Sequence, residues 1–230
     1  MTQPMPLSFS RLSTFEQCQA QFDYLYVSKR VQNSSNDASE YGNRVHELLE
    51  AKGKGELDEA KLSIEGQQTL NKWGHIVDKI LARDGTKYFE HQMAVNRALE
   101  PVDWFAKDVW LRSIADVLVV DGDTAYCLDY KTGKVKDNPT QLQLFAAMVM
   151  WHFPEVNTVK TSFIWLKFDE VTNSKYERRF LSSLWRALEP RFDKVQEIID
   201  MGVFKATPSG LCPWCPAKHI CPDARLKGRR

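Results

Sequence analysis

A hairpin with charges inside it sets the terms for this fold. Residues Ile114–Lys131 read IADVLVVDGDTAYCLDYK. Ile114–Val120 is a short apolar run rich in β-branched residues. Asp121-Gly122-Asp123 supplies a tight turn, because glycine reaches positive φ without strain. Ala125–Lys131 is the returning strand. Side chains alternate between the faces of a strand. Cys127, Asp129 and Lys131 therefore share one face, and Tyr126, Leu128 and Tyr130 share the other. Asp116 interrupts the apolar first strand. Two carboxylates and an ammonium in an apolar hairpin are costly to bury unless they pair with one another or bind a metal. Taken alone, an Asp-x-Lys reads as a salt bridge at the end of a half-buried sheet. The rest of the chain decides between the two readings.

The 230 residues suffice for one large domain, or one domain with appendages. A formal net charge of +1 gives no global pull toward nucleic acid, so any basic surface must be local. No apolar run approaches the length that spans a bilayer. Met1–Pro6 lacks a charged n-region and an apolar h-region, so no signal peptide is expected. A cytoplasmic location follows, in which the five cysteines are not expected to form disulfides.

Periodicity predicts helices over Ser10–Val27, Glu40–Lys52, Ser63–Ala82, Asn138–Trp151 and Leu184–Met201. Ser10 or Ser13 can cap the first, and Ser13 with Glu16 fits a capping box. Val31–Glu40 reads as a polar loop. Lys87–Leu99 and Thr158–Phe168 read as strands, and Ser174–Phe180 is placed to pair with the latter. Asn138-Pro139 is a helix start, with Asn as the cap and Pro at the first helical position. Leu142, Phe145 and Val149 then face inward, and Gln141 lies one turn before Phe145. This order predicts one α/β domain over 1–230, with a central mixed β-sheet flanked by helices. The catalytic core is expected over 84–170. Gly42 and His46 lie one turn apart in the second helix. A lone histidine beside an apolar stripe is more often structural than a ligand. Glu90, on the first strand, points either toward a site or, by default, to solvent.

The C-terminus shifts the balance. Cys212 and Cys215, followed by Cys221, give C-x2-C-x5-C, with Pro213, Pro216 and Pro222 keeping the stretch irregular. Three cysteines this close point to a metal site. The fourth ligand is open between two candidates. His219 would complete a zinc knuckle. Cys18, in the first helix, would complete an all-thiolate set suited to an iron–sulfur cluster. In either case segments 1–30 and 205–230 would form a cysteine-cluster subdomain clipped to the N-terminal helix. Arg225, Lys227, Arg229 and Arg230 make a basic tail that is solvated or touches phosphate.

Together these pieces resemble a RecB-type nuclease of the PD-(D/E)XK superfamily, in its iron–sulfur branch. The CRISPR-associated adaptation nuclease and the AddB nuclease domain belong to that branch. The resemblance covers most of the chain and runs in the family's order. It comprises Cys18, Gly42-x-x-x-His46, Asp116, Asp129-Tyr130-Lys131, Gln141-x-x-x-Phe145 and the three C-terminal cysteines. Two positions depart from the pattern: Phe145 stands where the family has Tyr, and Ser113 where it often has Gly. The resemblance implies a restriction-endonuclease-like core and a DNA exonuclease dependent on Mg²⁺ or Mn²⁺. Asp116, Asp129, His46 and the Tyr130 carbonyl would be metal ligands, and a His ligand favours Mn²⁺. Lys131 would orient the attacking water or stabilise the transition state. Gln141 would hold Lys131 or the DNA backbone, with Glu90 in support. Cys18, Cys212, Cys215 and Cys221 would carry a structural 4Fe-4S cluster. Partners would be DNA, single-stranded or with free ends, a separate helicase, or recombination or CRISPR proteins, and rings occur among relatives. The contrasting expectation is a non-catalytic, zinc-stabilised nucleic-acid-binding module using Cys212, Cys215, His219 and Cys221.

Overall fold

The computed structural model describes residues 5–33, 37–136 and 138–224. The chain divides into two compact units: Met1–Pro6 with Asn36–Trp185, and Leu7–Ser35 with Arg186–Arg230.

The first unit is built on a five-stranded sheet in the order β1-β2-β3-β4-β5. β1 (Thr86–Val95), β2 (Leu111–Asp121) and β3 (Thr124–Lys131) form an antiparallel meander. A crossover through α5 (Pro139–His152) brings β4 (Thr158–Trp165) parallel to β3, and β5 (Glu170–Glu177) returns antiparallel. The sheet is therefore mixed. The expected hairpin is β2–β3, with Gly122 at φ 55° in its turn. β2 begins three residues before Ile114, because Leu111–Ser113 pair with β1. β1 stops at Val95 and does not run to Leu99. Asn96 Oδ1 accepts the backbone N–H groups of Ala98 and Glu100, closing a turn there. Arg178–Phe180, expected in a strand, form a 3₁₀ turn leading into α6 (Leu181–Met201).

α3 (Asp37–Lys54) and α4 (Ile64–Leu81) cover one face of this sheet. Val45, Leu49, Trp73, Val77 and Ile80 bury against Val117, Val119 and Tyr130. Each such side chain contributes about 1.5–3 kcal/mol by leaving water. α3 starts at Asp37, inside the segment expected to be a loop. Asp37 and Glu40 in its first turn suit the positive end of the helix dipole. Ser63 caps α4 by accepting the Gly66 N–H at 3.1 Å. α5 packs on the face that carries Cys127 and Asp129. It is buried nearly all round, from Leu142 through Met150, so it has no polar side to give an amphipathic signal. Pro139 takes the first turn as expected, but the Asn138 side chain makes no capping bond. Arg178 satisfies the other end of α5. Its Nη2 donates to the Met150 and Phe153 carbonyls and its Nε to the Val156 carbonyl, each at 2.7 Å.

The second unit corrects the first predicted helix. Instead of one helix over Ser10–Val27, the chain forms α1 (Phe9–Gln17), α2 (Gln19–Phe22) and a π turn over Asp23–Val27. The break is Cys18, extended at φ −164° and ψ 112°. The cap is Ser8, not Ser10 or Ser13, and Ser13 to Glu16 lies inside α1. Along α6, Leu188, Phe192 and Val195 are buried at helical spacing. Arg191 grips Glu16 through Nε and Nη2, both at 2.7 Å. Past α6, Lys205 bonds α2 twice: its carbonyl accepts the Ala20 N–H, and its N–H donates to Gln19 Oε1. The Phe22 and Phe204 rings pack beside one another. The basic tail of Arg225, Lys227, Arg229 and Arg230 lies outside the described residues. No described helix is long and apolar enough to cross a membrane.

Candidate metal centre

The site forms where the β2–β3 ladder ends. Val117 and Leu128 make its last rung. Beyond them Asp116 Oδ2 accepts the Tyr130 N–H at 2.6 Å, so a side chain replaces the missing rung. The same oxygen lies 3.3 Å from His46 Nδ1 on α3. One turn earlier on α3, a Cβ added to Gly42 would sit 3.0 Å from Thr132 Oγ1. Glycine there lets α3 approach the end of β3. On β3, Lys131 Nζ lies 2.5 Å from Asp129 Oδ2, and Gln141 Nε2 donates to Asp129 Oδ1 at 3.0 Å. Gln141 thus holds the carboxylate, where sequence assigned it to Lys131 or the DNA. The Tyr130 ring packs edge-on to His46 and is buried in the α3/α4 core. Its main-chain carbonyl is the atom it can offer a metal.

Glu90 is drawn into the same site. Its neighbours on β1, Phe89 and His91, pair with Val117 and Ala115 on either side of Asp116. Its backbone is left-handed at φ 50°, a conformation rare for a residue with a Cβ. Phe89 rests on α3 at Gly53, where an added Cβ would fall 2.2 Å from its ring. Close packing on one side and strain at Glu90 on the other turn the carboxylate toward Asp116. His46, Glu90 and Asp116 then present one ligating atom each within 4.8 Å of one another. Among the described residues no other group of this kind occurs. Sequence reading left Glu90 at the solvent default and, by resemblance, gave it only a supporting place at the site, since a glutamate on an edge strand has no distinguishing spacing.

The electrostatics are those of a site short of positive charge. Burial, the Asp116 charge and Glu50 push the Glu90 carboxyl up to about 7. Burial and the Asp116 charge raise Asp129, against the opposing pull of Lys131. Burial lowers His46, but its bond to Asp116 and the surrounding carboxylates outweigh this and raise it. Asp129 Oδ2 is buried with no hydrogen-bond partner. Lys131 Nζ, 2.5 Å away, pairs with it in charge, and the oxygen's second lone pair remains for a further partner. A cluster of buried carboxylates, one imidazole and an orphaned oxygen fits a divalent cation. Carboxylate oxygens suit Mg²⁺ or Mn²⁺.

In the second unit Cys18, Cys212 and Cys221 lie near enough to Cys215 to act on its thiol. Burial raises the Cys215 thiol, a backbone bond to Ala217 opposes this, and the nearby Cys18, Cys221 and Cys212 sulfurs raise it further. The Thr207 N–H donates to Cys18 Sγ at 3.4 Å and the Ser209 N–H to Cys212 Sγ at 3.3 Å. No three of these sulfurs lie within 4.8 Å of one another, and His219 joins no such group. A tetrahedral zinc with bonds of about 2.3 Å would hold its ligands closer together than that. Cys127 is fully buried in the sheet and belongs to the core.

A mixed sheet whose central hairpin ends in Asp116, Asp129 and Lys131, with His46 above it, defines a metal-dependent phosphodiesterase fold. The model of the PD-(D/E)XK nuclease superfamily matches residues 6–222, and the chain belongs to that superfamily. Among solved structures the chain is similar to one from Eubacterium rectale named "Putative exonuclease". The TM-score is 0.60 at 12% identity, covering 98% of this chain and 91% of that one. The SSO0001 structure is a weaker likeness, at TM-score 0.44 and 11% identity over 98% of this chain and 90% of that one. No curated protein matches the sequence significantly.

Proposed function

We propose that this chain is a DNA exonuclease of the RecB type, using Mg²⁺ or Mn²⁺ held by His46, Glu90, Asp116, Asp129 and the Tyr130 carbonyl. The observation that carries the reading is the convergence of His46, Glu90 and Asp116 within 4.8 Å, on the hairpin whose other strand bears Asp129 and Lys131. A cation bound there would make a water nucleophilic and neutralise charge on the scissile phosphate. The imidazole favours Mn²⁺. Lys131 supplies a fixed positive charge for the attacking water or the phosphate oxygens. Gln141 fixes Asp129 so that its other oxygen stays available. The exonuclease mode is supported by the name of the Eubacterium rectale neighbour and by the motif order. The chain carries no P-loop, so it would act alone or with a separate DNA-unwinding motor.

In the second unit, Cys18, Cys212, Cys215 and Cys221 are assigned to a 4Fe-4S cluster with a structural role. The support is their mutual proximity, together with N–H donors to two of the sulfurs. Brown colour, iron and acid-labile sulfide in anaerobically purified protein are expected. Stoichiometric zinc in a colourless protein contradicts the assignment.

The catalytic reading is tested by digesting end-labelled single- and double-stranded DNA with Mn²⁺ or Mg²⁺. Wild type is expected to shorten the DNA progressively from an end. Lys131→Ala is expected to lose at least about 100-fold in rate, the scale of removing one transition-state charge donor, while keeping its metal. Equal rates for the two proteins would overturn the assignment.

A further inference from the structure

Away from the metal centre, the first unit has a second concave site with a uniform chemistry. It is a cavity of about 400 Å³ lined by Arg83, Tyr126, Leu128, Lys160, Ser162, Asn173, Ser174 and Lys175. Arg83 follows the end of α4, and the others come from β3, β4 and β5. Tyr126 and Leu128 belong to the face of β3 opposite Asp129.

Three cations converge there without an acidic lining residue. The Arg83 guanidinium lies 4.6 Å and the Lys160 ammonium 5.0 Å from the centre of the Tyr126 ring. Neither forms an ion pair among the described residues. Lys160 stands directly opposite Lys175 across the β4–β5 ladder. Like charges facing each other on neighbouring strands are destabilising, and Lys175 alone has a relieving partner, Glu177 at 3.1 Å. Two rungs on, on the same face, Ser162 Oγ donates to Asn173 Oδ1 at 2.7 Å, which leaves the Asn173 amide nitrogen as a donor. A guanidinium, two ammoniums and an amide N–H offer donors and positive charge, and the aromatic ring adds a stacking surface. A chain with a formal net charge of only +1 has concentrated charge here against a local rule of sheet stability.

We propose that this cavity is a binding site for a nucleotide phosphate group. Its source is either a backbone phosphate of the DNA strand or a free mononucleotide. The choice of nucleotide chemistry rests on the nuclease reading; the anion site itself does not. Lys160→Glu tests it with a stability readout that separates folding from binding. The exchange turns the facing pair into opposite charges, so the melting temperature is expected to hold or rise.

Two arms distinguish the sources, both in catalytically silent Lys131→Ala protein. The first measures the salt dependence of single-stranded oligonucleotide binding. Loss of one phosphate contact lowers the slope of log K against log salt by about 0.7. The second titrates dAMP and inorganic phosphate while following the NMR signals of Tyr126 and its neighbours. A lowered slope in Lys160→Glu assigns the site to the strand. An unchanged slope with dAMP and phosphate shifts lost in Lys160→Glu assigns it to the free nucleotide. An unchanged slope with no shifts in either protein overturns the proposal. Phosphate shifts at Tyr126 in a protein whose wild type cleaves no DNA would instead keep the anion site and remove the nuclease reading.

Discussion

Glu90 shows how much one residue adds that no motif announces. Its left-handed backbone and its half-buried carboxyl are unfavourable for the metal-free fold, and both bring a third ligand to His46 and Asp116. A carboxyl raised from 4.5 to about 7 keeps its proton in the folded state longer than in the unfolded one. Between those values the folded state binds more protons, so its stability falls as pH rises. The contribution is fully present below pH 4.5 and is lost as pH passes about 7. Melting curves in chelator across this window are expected to fall less steeply for Glu90→Gln than for wild type. Parallel curves would show that Glu90 is not the residue that feels the Asp116 charge. Asp129 adds to the same trend, since it too is raised.

At the level of elements, two glycines of α3 set how closely the helix meets the sheet, and magnitudes separate them. Replacing a helical glycine by alanine gains about 0.5–1 kcal/mol of helix propensity. At Gly42 the new methyl meets a single hydroxyl at 3.0 Å, which a small shift relieves. Gly42→Ala is expected to change stability by less than about 1 kcal/mol. At Gly53 the methyl would lie 2.2 Å from the Phe89 ring. Overpacking of that kind costs about 1–3 kcal/mol and outweighs the helix gain. Urea denaturation should show Gly53→Ala destabilised, with weaker metal binding because Phe89 carries Glu90. A stable Gly53→Ala would contradict this account of how β1 is seated. The sequence singled out Gly42 because of its spacing to His46. Gly53 shows no such spacing, since its reason lies across a helix–sheet contact. The hairpin, its Asp116, Asp129 and Lys131, and the mixed sheet were legible because the alternation of apolar and charged residues is local. The break at Cys18 was not. Leu12, Phe15 and Phe22 keep helical spacing across it, and the cause is distant: the extended Cys18 offers its sulfur to the Thr207 N–H. α5 reads as amphipathic by spacing, yet it is buried on almost every side, which only the crossover between β3 and β4 explains.

For the whole molecule, the second unit takes its sequence from both ends of the chain, Leu7–Ser35 and Arg186–Arg230. The proposed cluster joining Cys18 to Cys212, Cys215 and Cys221 would close most of the chain into a loop. In the chain-entropy model, a closure of that length stabilises by on the order of 5 kcal/mol. For a protein of this size that corresponds to roughly 10 °C in melting temperature. Cys18→Ser is expected to lower the thermal midpoint by about that amount and to expose the second unit to proteolysis. An unchanged midpoint would mean that the cysteines hold no cross-linking group.

The proposed role of His46, Glu90, Asp116 and Asp129 is to hold a divalent cation for phosphodiester hydrolysis. It is tested most directly by titrating Mn²⁺ and following the signal of the unbound ion by electron paramagnetic resonance. Wild type and Lys131→Ala are expected to bind Mn²⁺ alike, and Asp116→Asn and Asp129→Asn to lose it, each folded by circular dichroism. Mn²⁺ binding that survives both asparagine substitutions would contradict the account.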